Sequence, residues 1–300
     1  MLDRVKLEIQ NIDSDYIITS FETIYMTEVG ENIEFNYNNF RGKYIARDSL
    51  ITLDGSLHKF FKHGENYDDF TYKQVKDTFQ IIANKFNKEL KDIKIKYVEI
   101  GLNLIMPSFP EHYFNCFKTL GRNNFIYMTP LSGSSKLTGK RCKSSQYDFK
   151  VYNKSADAKA KTKVKAKPAE NILRIEVALS ANYLTANNLI FNAEQLKNIR
   201  IFRKYIRVLV KSFTESNKIN VYSSKDLVGF TEKEIKDYYF ITSDQYDLYI
   251  QHLKETGRSL KNENARRRKL ESKLNALDII SNYVDEMTIA FTCKRKALMD

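Results

Sequence analysis

With 300 residues, 42% of them hydrophobic and 19 each of Tyr and Phe, the chain has the length and composition of a packed globular protein, which argues against disorder. Its formal charge of +12 and pI near 9.3 imply an anionic partner, either nucleic acid or an acidic membrane surface. No apolar run approaches bilayer-spanning length and no signal peptide opens the chain, so a cytoplasmic protein without membrane association is expected.

The first strand is expected over Val5–Ile9, where Val5, Leu7 and Ile9 share one face. Further β-like segments follow at Ile33–Tyr37 and Tyr44–Leu53. An amphipathic helix is expected over Thr71–Leu90, with Val75, Phe79, Ile82, Phe86 and Leu90 as its apolar stripe. Ile95–Ile105 is a strand in which Val98, Ile100, Leu102 and Leu104 alternate with Glu99, Gly101 and Asn103. Pro107 and Pro110 bracket a loop before a helix over Glu111–Leu120. Strands near Phe125–Met128 and Ser145–Tyr152 flank a Gly/Ser/Lys-rich loop, Ser132–Lys143. Asp157–Lys167 alternates lysine with small residues and is expected to be a mobile basic loop that touches DNA phosphates. After a strand over Ile172–Leu179, helices dominate: Ala193–Thr214, Thr231–Tyr238, Ser243–Thr256 and a long stretch from Leu260 to Ala290. The fold class is therefore α+β, a central, mostly antiparallel sheet with helices on one face followed by a mostly helical C-terminal region. Residues 1–185 form the expected catalytic domain and residues 186–300 a helical DNA-binding or accessory region.

The chemistry lies in strand parity. Asp148, Lys150 and Tyr152 share one face of their strand; Arg174 and Glu176 lie opposite Leu173, Ile175 and Val177; Glu99, Gly101 and Asn103 lie opposite the apolar set of theirs. If these strands share a sheet, the polar residues converge on its uncovered side. Two carboxylates there can hold a hard divalent cation, Mg²⁺ or Mn²⁺, through oxygen ligands, and the cation would polarise a scissile phosphate. A tyrosine beside that cation and beside Lys150 can ionise and attack phosphorus. Tyr147 is the rival to Tyr152, but its parity places it on the buried face. The third metal ligand is open among Asp3, Asp54 and Asp148, of which Asp148 has the right parity. Cys116, Cys142 and Cys293 show neither a disulfide framework nor zinc spacing, and the four histidines include no His-Glu-x-x-His and no His-hydrophobic-His. Histidine-based metal binding, including that of HUH relaxases, is thereby disfavoured.

Four segments in order carry a family resemblance: Gly55-Ser-Leu-His-Lys-Phe-Phe-Lys-His-Gly-Glu-Asn66, Tyr97-Val-Glu-Ile-Gly-Leu-Asn103, Lys150-Val-Tyr-Asn-Lys154 and Leu173-Arg-Ile-Glu176. Over residues 1–185 the chain resembles replication initiators of rolling-circle plasmids and phages, the Rep_trans type and the related filamentous-phage gene II replication proteins. The resemblance implies a divalent-metal-dependent endonuclease that nicks origin DNA through a 5′-phosphotyrosine link and then rejoins or transfers the strand. It implies Tyr152 as nucleophile, Glu99 and Glu176 as metal ligands, and Lys59, Lys150, Lys154 and Arg174 as contacts to phosphate or stabilisers of charge. Single-stranded and origin DNA would be the partners, with a homodimer and a host helicase also compatible. One departure stands out: Asn153 replaces the acid that follows the tyrosine in the family. A non-catalytic DNA-binding regulator on the same fold is the alternative, and a nuclease in which water attacks is a third. Outside the site, Lys197, Arg200, Lys204, Arg207 and Lys211 recur at helical spacing as a basic stripe that can track a DNA backbone. Arg266-Arg-Arg-Lys269 is a second basic cluster, equally compatible with duplex DNA and with plain surface.

Overall fold

The computed structural model describes residues 2–26, 32–64, 66–128, 138–156, 171–189, 192–219, 227, 229–275 and 282–297. The basic run Asp157–Lys167 lies outside them.

Strict apolar alternation produces the first half of a large sheet. β1 (Leu2–Gln10), β2 (Glu22–Met26), β3 (Asn32–Tyr37), β4 (Phe40–Ile45) and β5 (Leu50–Ser56) point Val5, Leu7, Ile9, Ile33, Phe35, Phe40, Ile51 and Leu53 into the core. The expected single segment Tyr44–Leu53 is in fact the end of β4, a 3₁₀ turn over Ala46–Asp48 and β5. Ser49 takes a left-handed φ of 44° at the close of that turn, which reverses the chain. Asn38, at φ 51°, does the same in the two-residue loop between β3 and β4.

Two helices cover the apolar face after β5. α1 (Ser14–Ser20) precedes β2, and α2 (Leu57–Phe61) follows β5 directly. α3 (Tyr72–Lys85) starts at a capping box in which Thr71 and Gln74 satisfy each other's backbone N–H groups. It ends before Leu90, which belongs to a separate 3₁₀ turn. Phe60 and Phe86 meet Tyr37 edge-on, which seats this layer against the sheet.

β6 (Ile93–Ile105), β10 (Gly139–Lys143), β11 (Tyr147–Asn153) and β12 (Ile172–Ser180) complete the sheet, together with the short β9 (Ile126–Tyr127). Among the described residues the sheet has ten strands in the order β2-β3-β4-β5-β1-β6-β12-β11-β10-β9, every pairing antiparallel. The expected loop Ser132–Lys143 therefore ends in a strand. The helix expected over Glu111–Leu120 stops after α4 (Pro110–Phe114), and β7 (Phe117–Leu120) follows in a small second sheet with β8 (Asn123–Asn124). Tyr113, Phe114, Phe117 and Leu120 fit a helical spacing equally well. A partner about a hundred residues away, β13 (Ser216–Lys218), pairs with β7 and decides the matter.

The C-terminal region does not separate at residue 185. After α5 (Ala181–Ala186) and a 3₁₀ turn over Ala193–Lys197, α6 (Ile199–Glu215) buries Phe202, Tyr205, Ile206, Leu209 and Phe213 in the same core as the sheet. α7 (Glu232–Ile241), α8 (Asp244–Glu255) and α9 (Lys261–Asn275) follow, and Leu227, Phe230, Tyr238 and Leu270 form a small core of their own. The expected helix from Leu260 to Ala290 is α9 and a distinct α10 (Tyr283–Ala297). α10 returns to the main core, where Phe291 stacks on Phe213 at 4.0 Å and Glu286 accepts a 2.6 Å hydrogen bond from Tyr113. Among the described residues no helix is long and apolar enough to cross a membrane.

Candidate functional site

The register of three central strands assembles the site in rows. Tyr152 of β11 stands beside Arg174 of β12, which stands beside Asn103 of β6. In the next row Lys150, Glu176 and Gly101 align, and beyond it Asp148, Ala178 and Glu99. The three sequence segments expected to converge do so in adjacent strands, but on a buried rather than an uncovered face, where Glu99, Asn103, Arg174 and Glu176 are all at most 8% exposed.

Their side chains form one buried network. The Lys150 ammonium bridges the two carboxylates, 3.2 Å from Glu99 Oε1 and 2.9 Å from Glu176 Oε1. The Tyr152 hydroxyl donates to Glu176 Oε2 at 3.2 Å, and Arg174 Nε donates to the same oxygen at 2.7 Å. Arg174 is wholly buried; its Nη1 donates to Asn103 Oδ1 at 2.9 Å and its Nη2 to Asp3 Oδ2. Such a fork of donors suits a buried carboxylate pair. Arg174 therefore lies beneath the site rather than at a surface where phosphate could reach it. Lys154 is also buried, close enough to Asp3 to stabilise its charge, and Lys59 is half-buried in α2.

The two glutamates differ in charge balance. Burial alone would raise Glu176, but Lys150 and Arg174 outweigh it and hold the carboxyl well below its ordinary range. Glu99 is pushed up, by burial first and then by Glu176, and Lys150 and the Tyr97 hydroxyl only partly compensate. Burial opposes the charge on Lys150, yet the two glutamates prevail and hold its pKa above the ordinary lysine value.

Two participants depend on irregularities in the strands. The apolar positions of β6 run Ile93, Ile95, then Val98, Ile100, a skip that matches a register shift against β1. The skip puts Tyr97 on the same face as Glu99, and its hydroxyl donates to Glu99 Oε1 at 2.5 Å. Burial and Glu99 together keep that phenol protonated far past the ordinary tyrosine range. A second shift, between Leu2 and Val5, brings Asp3 into the network.

The three aspartates considered as a third metal ligand are all engaged by arginine. Asp3 holds Arg174, Asp54 pairs with Arg4 at 2.8 Å, and Asp148 takes both Nε and Nη2 of Arg141. Asn153 faces away from Tyr152: its amide donates to Glu111 at 3.3 Å, and its carbonyl oxygen accepts the Ala156 N–H at 2.9 Å. Among the described residues no group of three or more His, Cys, Asp or Glu is arranged as metal ligands. Glu99 and Glu176 nonetheless direct one oxygen each at a single cation-bearing point, that of the Lys150 ammonium. A pair of carboxylates fits Mg²⁺, which completes its shell with water and phosphate oxygens.

The basic stripe divides in two. Asn198 caps the first turn of α6, accepting from Arg200 N at 2.9 Å, so Lys197 falls in the preceding 3₁₀ turn beside Glu194. Arg200, Lys204, Arg207 and Lys211 lie exposed on α6, joined by Arg203. Arg266 is tied to Asp237 and Glu263 within the small helical cluster. None of the three cysteines is in a disulfide; Cys116 and Cys142 are buried and Cys293 is exposed.

Comparison with protein-family models returns no match, and none of the curated proteins matches the chain.

Proposed function

We propose that this protein is a DNA-nicking and strand-transfer enzyme that initiates rolling-circle replication, with Tyr152 as nucleophile. The observation that carries the reading is the Tyr152 hydroxyl on a buried carboxylate that Lys150 and Arg174 hold ionised. Nothing in core packing requires a phenol, two carboxylates, an ammonium and a guanidinium in one connected patch, and desolvating them is unfavourable.

The chemistry follows from the placement. Tyr152 oxygen attacks the phosphorus of a phosphodiester as its proton passes to solvent water; the new bond is P–O(Tyr152), the bond broken is P–O3′, and the 3′ oxygen leaves as a hydroxyl after taking a proton from water. Glu176 Oε2 orients the phenol by accepting its hydrogen, and Arg174 keeps that oxygen in place. Glu99 and Glu176 are the residues that would hold a divalent cation, and Lys150, which lies between them, would add positive charge for the phosphate. The cation would supply positive charge that favours phenolate and neutralises the scissile phosphate. The energy of the broken bond is kept in the phosphotyrosine, so the nick can be resealed or the strand transferred. The exposed cations of α6 would track the DNA backbone.

The engagement of Asp3, Asp54 and Asp148 by arginine favours one second reading, a regulator that binds DNA without cutting it. The test is incubation with 3′-end-labelled single strands from the DNA encoding and flanking this chain, with Mg²⁺ or Mn²⁺, resolved on a denaturing gel. Labelled protein that survives denaturation and vanishes in Tyr152→Phe is the expected result. Cleavage without an adduct would mean that water attacks, and binding without cleavage would mean the regulator.

A further inference from the structure

We infer that Asp3 is a positioning residue of this site: through Arg174 it sets where Glu176 presents its oxygen to Tyr152, and Gly101 is the gap through which Arg174 reaches it. The inference rests on the nicking reading for its consequence but on packing for its geometry.

Arg174 spans three strands. Its Nε meets Glu176 on its own strand β12, its Nη1 meets Asn103 on β6, and its Nη2 meets Asp3 on β1. A guanidinium is flat and rigid, so fixing two of its corners fixes the third. Both distal corners are anchored in turn, and Asn66 serves both. Asn103 donates to the backbone oxygens of Asn66 and Tyr67, each at 3.0 Å. Asp3 accepts from the Ser56 hydroxyl and, at 3.3 Å, from the Asn66 amide. Glu176 Oε2 then receives both Arg174 Nε and the Tyr152 hydroxyl, so the position of that acceptor follows from the arm behind it.

The arm crosses β6 at Gly101. A Cβ built there would lie 2.9 Å from Arg174 Nη2, 3.1 Å from its Cζ and 3.0 Å from Glu176 Cβ. Any side chain would push the guanidinium off its line to Asp3. Both Asp3 oxygens are engaged by Arg174, Ser56 and Asn66, which makes Asp3 an anchor rather than a third ligand at the Glu99–Glu176 point.

The experiment compares Asp3→Asn, Gly101→Ala and the double variant in the full chain. Two readouts are needed: the nicking rate against DNA concentration, and hydrogen exchange of the ¹⁵N-labelled Arg174 Nε–H. Each single change should slow nicking at saturating DNA by about 10- to 100-fold, the range for residues that orient a site's ligands. Half-saturating DNA should stay within about twofold of wild type, because every group that would meet DNA is retained. The double variant should be no worse than the poorer single one, since both cut the same connection. Exchange of Arg174 Nε–H should quicken by at least about tenfold in both. An unchanged nicking rate in Asp3→Asn, or losses that multiply in the double variant, would overturn the inference. Should Asp3→Asn not fold, Gly101→Ala, which keeps every charge, decides by the same readouts. A wild-type protein that never nicks would sink the nicking reading alone; positioning would then stand if exchange quickens and fall if it does not.

Discussion

The polar face of the sheet behaves differently on its two sides. On the β5-β1 side and the start of β6, Arg4 and Lys6 pair with Asp54, and Lys96 pairs with Glu8 at 3.1 Å; the cationic side chains are about half exposed. Around the β12 centre, Lys150, Arg174, Glu99 and Glu176 form the same kinds of pair with side chains 17% exposed or less. Water screens the first set and each pair is worth little. In the second, removing one partner strands the other in a dry site, so the ions are interdependent. Identical period-two patterning thus gives solvent-screened pairs on one side and a buried, interdependent cluster on the other, and burial makes the difference.

The contrast is sharpest at Glu176. Glu176→Gln leaves Arg174 and Lys150 short of charge and should lose about 3–5 kcal/mol in chemical denaturation, with nicking abolished. A loss below about 1 kcal/mol would place the cluster in the same class as the exposed pairs. Next in size is DNA affinity. Replacing Arg200, Lys204, Arg207 and Lys211 together by Gln should weaken binding to all sequences alike and flatten its salt dependence by about one unit of slope for each phosphate no longer neutralised. Unchanged slope in a salt titration would remove α6 from the interface.

The two glutamates should respond oppositely to pH. Glu176 has a folded pKa below its ordinary 4.5, so its stabilisation is full above that value and is lost as pH falls toward the folded pKa. Glu99 has a folded pKa above its ordinary 4.5, so its ionisation subtracts stability as pH rises past that value. Glu99→Gln should therefore leave stability at pH 7 within about 1 kcal/mol of wild type or raise it, while removing that pH-dependent penalty. Matching acid-denaturation curves for the two Gln variants would contradict the assignment. The smallest effect is expected on the exposed side, where Lys96→Ala should change stability by less than about 1 kcal/mol.

Much of the sheet was legible because a strand's period is local: Val98–Leu104, Phe149–Val151 and Leu173–Val177 announce their buried faces without reference to one another. The convergence of Glu99, Lys150, Tyr152, Arg174 and Glu176 follows from that parity once the strands pair. Tyr97 escaped because a bulge changes parity midway along β6, although the step from Ile95 to Val98 carries the signal. Parity favours Asp148 over Asp3 as a neighbour of the glutamates, but Arg141 holds Asp148, and the register shift in β1 brings Asp3 into the network as the anchor of Arg174. The short α4 and the strand β7 could not be separated locally, since β13 supplies the deciding hydrogen bonds from far along the chain. The break at Asn198 had a local sign, an N-cap residue, but the apolar spacing on both sides ran through it.

The proposed function makes the buried cluster a covalent nicking site built around Tyr152. It is tested most directly by digesting the protein–DNA adduct and locating the modified residue by mass spectrometry. A phosphodiester on Tyr152 is expected, in the peptide that also holds Lys150 or Lys154. Attachment to Tyr97 or Tyr147, or cleavage with no attached residue at all, would contradict it.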